Sequence, residues 1–116
     1  WRQAVASSAP RRNITAMLEE LELSEAFDAT ICGEELNTGK PDPEIFLRAA
    51  EAVGVPPERC VVVEDAMVGV EAARRAGMKC IAVTTTHPAP DLAAADLVVD
   101  TPAALPDDAF DALLDR

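Results

Sequence analysis

Two adjacent carboxylates, Glu64 and Asp65, directly follow the apolar run Cys60-Val61-Val62-Val63. Held about 5 Å apart, two such charges repel by roughly 3 kcal/mol at an effective dielectric of about 20, so a chain tolerates the pair best beside a cation. A hard divalent ion such as Mg2+, taken through one or two carboxylates with water and substrate phosphate completing its shell, suits that chemistry. The plainer alternative is that Asp65 caps the next helix while Glu64 points to solvent. Lys40 stands between Gly39 and the stiff segment Pro41-Asp42-Pro43, which restricts its backbone more than an ordinary loop would. An ammonium fixed in this way neutralises phosphate and nearby carboxylates; the alternative is a solvated lysine ahead of a helix. Ser7 and Ser8 also follow an apolar run, offering hydroxyls and backbone N–H groups on the way into a helix, a favourable place for an anion. Taken alone, N-capping is the better account of them. His87, the single histidine, has no Ser or Cys constellation near it and reads as a loop residue.

These groups meet only if the chain forms an open parallel sheet, in which ligands sit beyond the carboxy ends of the strands. Five short β-branched or aliphatic runs, residues 3–6, 29–32, 60–63, 80–83 and 97–99, alternate with helical patterns. That alternation predicts an α/β fold with helices on both faces of a parallel sheet. Residues 60–63 are continuously apolar, as expected of a central strand covered on both faces. Ile14, Met17, Leu18 and Leu21 mark the apolar stripe of a first helix. A second has Asp42 as N-cap, Pro43 at its first position and Gly54 as its stop. A third covers residues 66–76 and ends at Gly77, with Glu71, Arg74 and Arg75 outward. Asp107 and Asp108 followed by Phe110, Leu113 and Leu114 suit a capped helix within residues 102–116. The Thr- and Pro-rich stretch 84–90 reads as an ordinary strand-to-helix connection.

At 116 residues the chain is the size of one small domain, able to bury a single core with about two-thirds of its unfolded surface removed from water. Apolar residues make up 49% in short runs, which excludes a disordered chain and a helical membrane span. The net charge of −11 disfavours nucleic acid and anionic membranes as partners. A small anionic substrate requires local cations that overcome this field. Cys32, Cys60 and Cys80 are odd in number, sit by Val/Ile-rich runs and match no zinc spacing, so they read as reduced, buried thiols. No secretory leader pattern is visible, so a cytoplasmic setting is expected. The opening Trp1-Arg2-Gln3 reads as an entry into the middle of a protein.

In order, Val5-Ala6-Ser7-Ser8, then Gly39-Lys40-Pro41-Asp42-Pro43-Glu44-Ile45-Phe46, then the block from Val61 through Glu64-Asp65 to Ala73 resemble the second, third and fourth motifs of the haloacid dehalogenase superfamily. Within it the chain is most similar to β-phosphoglucomutase and phosphoglycolate-phosphatase-like proteins. The resemblance implies a Rossmann-like three-layer core. It assigns Ser7 to the hydroxyl that binds the transferring phosphoryl group, with the Ser8 N–H assisting, and Lys40 to the cation bridging phosphate and nucleophile. Glu64 and Asp65 become the acidic pair of a Mg2+ site, Asp65 the direct ligand. The family's first motif, an Asp-x-Asp segment carrying the nucleophile, has no counterpart, since no Asp-x-Asp occurs in the chain. The mobile cap is missing as well.

The expectation is therefore a partial core, residues 1–116, of a magnesium-dependent phosphatase or phosphomutase acting on a small phosphorylated metabolite, without turnover alone. The implied first strand lies beside the strands ending at Ser7 and Glu64, so self-association or a complementing segment is expected to replace it. A metal-free dehalogenase fits the acidic pair less well. A non-catalytic receiver- or flavodoxin-like module is the rival of another class, but receivers place their lysine after the acceptor aspartate rather than before it.

Overall fold

β-branched and small apolar residues build five strands, and the amphipathic stretches between them build four helices, in strict alternation until the carboxy end. The computed structural model describes residues 1–115; Arg116, the end of the expected last helix, lies outside the described residues. The elements are β1 (Ala4–Ala6), α1 (Arg11–Glu20), β2 (Ala29–Ile31), α2 (Glu44–Val53), β3 (Val61–Glu64), α3 (Met67–Arg75), β4 (Lys79–Val83), β5 (Leu97–Val99) and α4 (Ala109–Leu114).

The strands form two parallel sheets, β1-β2 and β3-β4-β5. In the first, Ala4, Val5 and Ala6 face Ala29, Thr30 and Ile31. In the second, Val61 to Glu64 pair with Lys79 to Ala82, and Ile81 to Val83 with Leu97 to Val99. Strand alternation distributes the side chains between two clusters. Ala6 and Ile31 join Ile45, Phe46 and Ala50 of α2 and Val70, Ala72 and Ala73 of α3. Val5 and Cys32 point the other way, to Ile14 and Leu18 of α1. Helices therefore cover opposite faces, giving the expected three layers.

Local signals explain most boundaries. Asp42 Oδ1 accepts the Glu44 N–H at 2.9 Å, but α2 starts one residue later than expected: Pro43 is the N-cap and makes no side-chain cap bond. Gly54, at φ 71°, closes that helix in the left-handed conformation that glycine adopts without a Cβ penalty.

Four expectations need correction. The continuous run of β3 does not make it a middle strand: β4 holds that place, and Val63 at the edge is 47% exposed. Of the four stripe residues of α1 only Ile14 and Leu18 are buried, while Met17 and Leu21 are exposed, because the helix meets the sheet along a single i, i+4 line. The stretch expected as one terminal helix divides into a 3-10 turn at Pro102–Ala104, capped by Thr101 Oγ1, and the short α4, whose Asp108 makes no side-chain cap bond. Cys32 and Cys80 are buried free thiols as expected, but Cys60 is only half-buried.

β1 and β3 do not pair. They flank a cleft of about 650 Å3, so each sheet keeps one unpaired edge toward the other.

Candidate functional site

Ser7, Ser8, Lys40, Glu64 and Asp65 line one cavity of about 600 Å3 at the carboxy ends of β1 and β3, closed further by Val63, Val68, Val83 and Thr85. A parallel arrangement delivers them there: Ser7 and Glu64 come directly after the last apolar residue of their strand runs, and Lys40 arrives on the longer loop between β2 and α2. His87 is not among the lining residues; its Nδ1 lies 3.0 Å from the Thr86 carbonyl.

Lys40 is the one cationic residue in the lining among the described residues. Its Nζ lies 3.0 Å from Glu64 Oε2, with the two side chains 16% and 9% exposed, and 5.2 Å from the Phe46 ring centroid. The loop that carries it is clasped by Glu44. One oxygen of that carboxylate accepts the backbone N–H groups of Asn37 and Thr38 at 2.8 and 2.9 Å, and the other binds Arg48. The Thr38 N–H, with Arg48 assisting, lowers Glu44 to about 2, so the clasp stays charged throughout the neutral range.

Glu64 does not point to solvent. While Oε2 meets Lys40, Oε1 accepts the N–H groups of Asp65 and Ala66 at 3.1 and 3.3 Å, at the amino end of α3 where negative charge is favoured. The carboxylate reaches that position because residue 69 is glycine: a Cβ there would lie 2.0 Å from Glu64 Cδ. Asp65 does not cap α3, whose N-cap is Ala66. Its Oδ2 is instead 3.3 Å from Thr86 Oγ1, which also donates to the Asp65 carbonyl. The threonine-rich loop is thus a support for Asp65 and not a plain connection, and Thr85 and Thr86 are the residues sequence reasoning passed over.

Ser7 is held by its N–H to the Ile31 carbonyl at 3.0 Å, and its Oγ accepts the Ala9 N–H at 3.2 Å. That is the serine turn of the plainer reading, yet it leaves the hydroxyl proton free to donate outward. The turn packs tightly on the segment after β2, where a Cβ on Gly33 would stand 2.2 Å from the Ser8 carbonyl oxygen. Nearby Cys80 offers no nucleophile, since burial, with Glu64 and Asp96 beside it, pushes its thiol up to about 12.

The lining carries one cation and two carboxylates. An anion therefore enters favourably only with a further positive charge. Glu64 is committed to Lys40 and backbone amides, which leaves Asp65 as the carboxylate open to a cation. No group of three or more His, Cys, Asp or Glu poised for a metal occurs among the described residues. One carboxylate in a cavity that also holds the Ser7 and Ser8 side chains fits part of a Mg2+ shell, which relies on water and substrate oxygens for the rest. No helix among the described residues is long and apolar enough to cross a membrane.

Comparison with known proteins shows the family and the fold. The family described as "Hydrolase: haloacid dehalogenase-like hydrolase" matches residues 1–77, a span that includes all five residues above. Validoxylamine A 7'-phosphate phosphatase from Streptomyces hygroscopicus subsp. limoneus is 40% identical over 95 residues, 82% of this chain and 45% of that protein. A β-phosphoglucomutase structure from Clostridium difficile is similar at TM-score 0.88 and 29% identity, over 98% of this chain and 49% of that one. CbbY from Rhodobacter sphaeroides, solved in complex with phosphate, gives 0.84 at 32% identity over 95% and 51%. The chain spans less than half the length of the curated relatives it matches and about half of these solved chains. On the strength of the family match and of a fold shared with β-phosphoglucomutase and CbbY, the chain belongs to the haloacid dehalogenase-like hydrolases.

Proposed function

We propose that this chain is the phosphate- and metal-holding part of a magnesium-dependent phosphatase or phosphomutase core that acts on a small phosphorylated metabolite, working in the cytoplasm. The observation that carries the reading is the convergence of Ser7, Lys40 and Asp65 on one cavity. Ser7 Oγ and the Ser8 N–H bind phosphoryl oxygens, Lys40 neutralises their charge, and Asp65 holds Mg2+ with Glu64 fixing the lysine beside it. Mg2+, when bound, supplies the positive charge that the lining lacks. Phosphoryl transfer is catalysed mainly by positioning and charge neutralisation, and these residues offer both. The attacking carboxylate is not among them, so residues 1–116 form a partial core that has no turnover alone.

Calorimetry with inorganic phosphate, with and without Mg2+, tests the assignment. Phosphate is expected to bind only when Mg2+ is present, to lose that dependence in Asp65→Asn and to weaken at least ~10-fold in Lys40→Ala, the equivalent of about 1.4 kcal/mol. Equal phosphate binding with and without Mg2+ in the parent chain would overturn the metal role. Magnesium-dependent hydrolysis of p-nitrophenyl phosphate by the pure chain, abolished by Asp65→Asn, would overturn the claim of inactivity.

A further inference from the structure

Asp65 is the carboxylate left open to a cation, and Lys40, the one cationic residue of the lining among the described residues, is paired with Glu64 instead. An aspartate beside a helix start has a strong local alternative, because the amino end of a helix draws negative charge toward its free N–H groups. Glu64 takes the N–H groups of Asp65 and Ala66 there, and the Asp65 side chain is drawn another way. Thr86 Oγ1 lies 3.1 Å from the Asp65 carbonyl oxygen and 3.3 Å from Asp65 Oδ2. One hydroxyl thus ties the main chain and the side chain of the same residue, which restricts the turn of the carboxylate about its Cα–Cβ bond.

The chemistry of the tether matters as much as its geometry. A lysine or arginine would orient Asp65 equally well, but it would compete with a hard cation for the same charge. A neutral hydroxyl orients the carboxylate and leaves that charge whole. Groups that orient a metal ligand in this manner are typically worth about 10–100-fold in metal affinity. The tether also has a fixed base. The Thr84 N–H donates to the Val99 carbonyl at 3.0 Å, and Thr84 Oγ1 lies 3.2 Å from Asp100 Oδ1, which fastens the start of the loop to the end of β5. Thr85, between the two, lines the cavity. Thr86 itself is exposed, so its hydroxyl is not there to satisfy a buried group.

We infer that Thr86 is a positioning residue for Asp65: on a loop anchored to β5 through Thr84, its hydroxyl holds the Asp65 carboxylate in the orientation from which it takes Mg2+. The inference rests on the reading of Asp65 as the Mg2+ residue and goes beyond it by naming the group that aims that residue. Thr86 acts through Asp65, and its hydroxyl rather than its methyl group is the working part.

The test is phosphate calorimetry on the whole chain over a series of Mg2+ concentrations. Thr86→Val removes the hydroxyl and keeps the branched shape, whereas Thr86→Ser keeps the hydroxyl. The Mg2+ concentration that gives half-maximal phosphate binding is expected to rise at least ~10-fold in Thr86→Val and to return close to the parent's in Thr86→Ser. The urea midpoint should hold in both variants, since a substitution at an exposed side chain changes stability little. In the metal-free chain, the NMR signal of the Asp65 carboxylate carbon should move in Thr86→Val and return in Thr86→Ser, while that of Glu64 stays in place. Thr86→Val titrating with Mg2+ as the parent does would overturn this inference alone. A parent chain that binds phosphate equally with and without Mg2+ would overturn the metal role of Asp65 and this inference with it. Thr86→Ser as weak as Thr86→Val would overturn the role of the hydroxyl. A urea midpoint that falls together with the Mg2+ affinity in Thr86→Val, with the Asp65 carbon signal unmoved, would make Thr86 a structural residue and overturn its positioning role.

Discussion

Lys40 Nζ lies 3.0 Å from Glu64 Oε2, while Glu64 Oε1 takes the two backbone amides that open α3. Gross attraction at that distance is about 5 kcal/mol at an effective dielectric of about 20, and desolvation offsets much of it. What decides the effect of a substitution is the charge left behind. Lys40→Met strands a carboxylate that is only 9% exposed, so a loss of about 1–3 kcal/mol in urea unfolding is expected. Glu64→Gln keeps an acceptor for the two amides and should cost less. Equal losses would show that the charge pair does not set the energetics.

Gly69→Ala sets two effects against each other. Alanine is favoured over glycine within a helix by about 1 kcal/mol. Its Cβ would, however, lie 2.0 Å from Glu64 Cδ, too close for any contact, so the carboxylate must leave the amino end of α3. Net destabilisation is expected, together with loss of the Lys40 ion pair, read by chemical denaturation and by the Lys40 side-chain signals in NMR. A variant more stable than the parent would show that Glu64 moves at no cost.

The parts of this structure legible in the sequence are those that rest on local pattern. The strand runs and the Gly54 stop each depend on a few neighbouring residues, and the structure keeps them; the start of α2 moves by one residue, to Pro43 as N-cap. The convergence of Ser7, Lys40 and Glu64-Asp65 was legible because each follows a strand, and a parallel sheet sends all such ends to one side. What was not legible depends on tertiary partners. The edge position of β3 cannot be read from Val61-Val62-Val63, since burial by a floor of helix residues and burial between two strands demand the same side chains. The support of Asp65 by Thr86 joins residues from different loops, and no periodic signal marks it. That Glu64 turns inward follows from Gly69, which the sequence shows only as one more small residue of a closely packed helix.

Glu44 supplies a pH dependence. Its carboxyl is lowered from an ordinary 4.5 to about 2, chiefly by the Thr38 N–H. A depressed folded-state value contributes stability that is fully present above the unfolded value and is lost as pH falls through the folded one. The window is therefore from about 4.5 down to about 2. Glu71, lowered to about 2 by Arg74 and Arg75, contributes in the same window. Glu44→Gln and Glu71→Gln should each flatten the acid side of the stability curve, but only Glu44→Gln should speed amide exchange at Asn37 and Thr38. Unchanged exchange there would mean that the loop carrying Lys40 is held by other contacts.

The two half-sheets should differ in how readily they open. β1 and β2 form a two-stranded sheet of three residues each, and so small a pairing is marginal without further strands. It is held by α1 through Ile14 and Leu18 and by α2 through Ile45 and Phe46. β4, by contrast, has a neighbour on each side, and Cys80, Ile81, Ala82 and Val83 are all buried. Backbone groups with few buried contacts behind them exchange through small local openings, whereas those in a core strand wait for the global one. Native-state hydrogen exchange should find Ala4–Ala6 and Ala29–Ile31 opening well below the free energy that governs Lys79–Val83. Thermal melting gives an independent check: a single cooperative, concentration-independent transition above about 60 °C in a strict monomer, at the upper end for an ordinary domain, would show that five strands in two sheets close the core unaided. A lower or broad transition is the expected result.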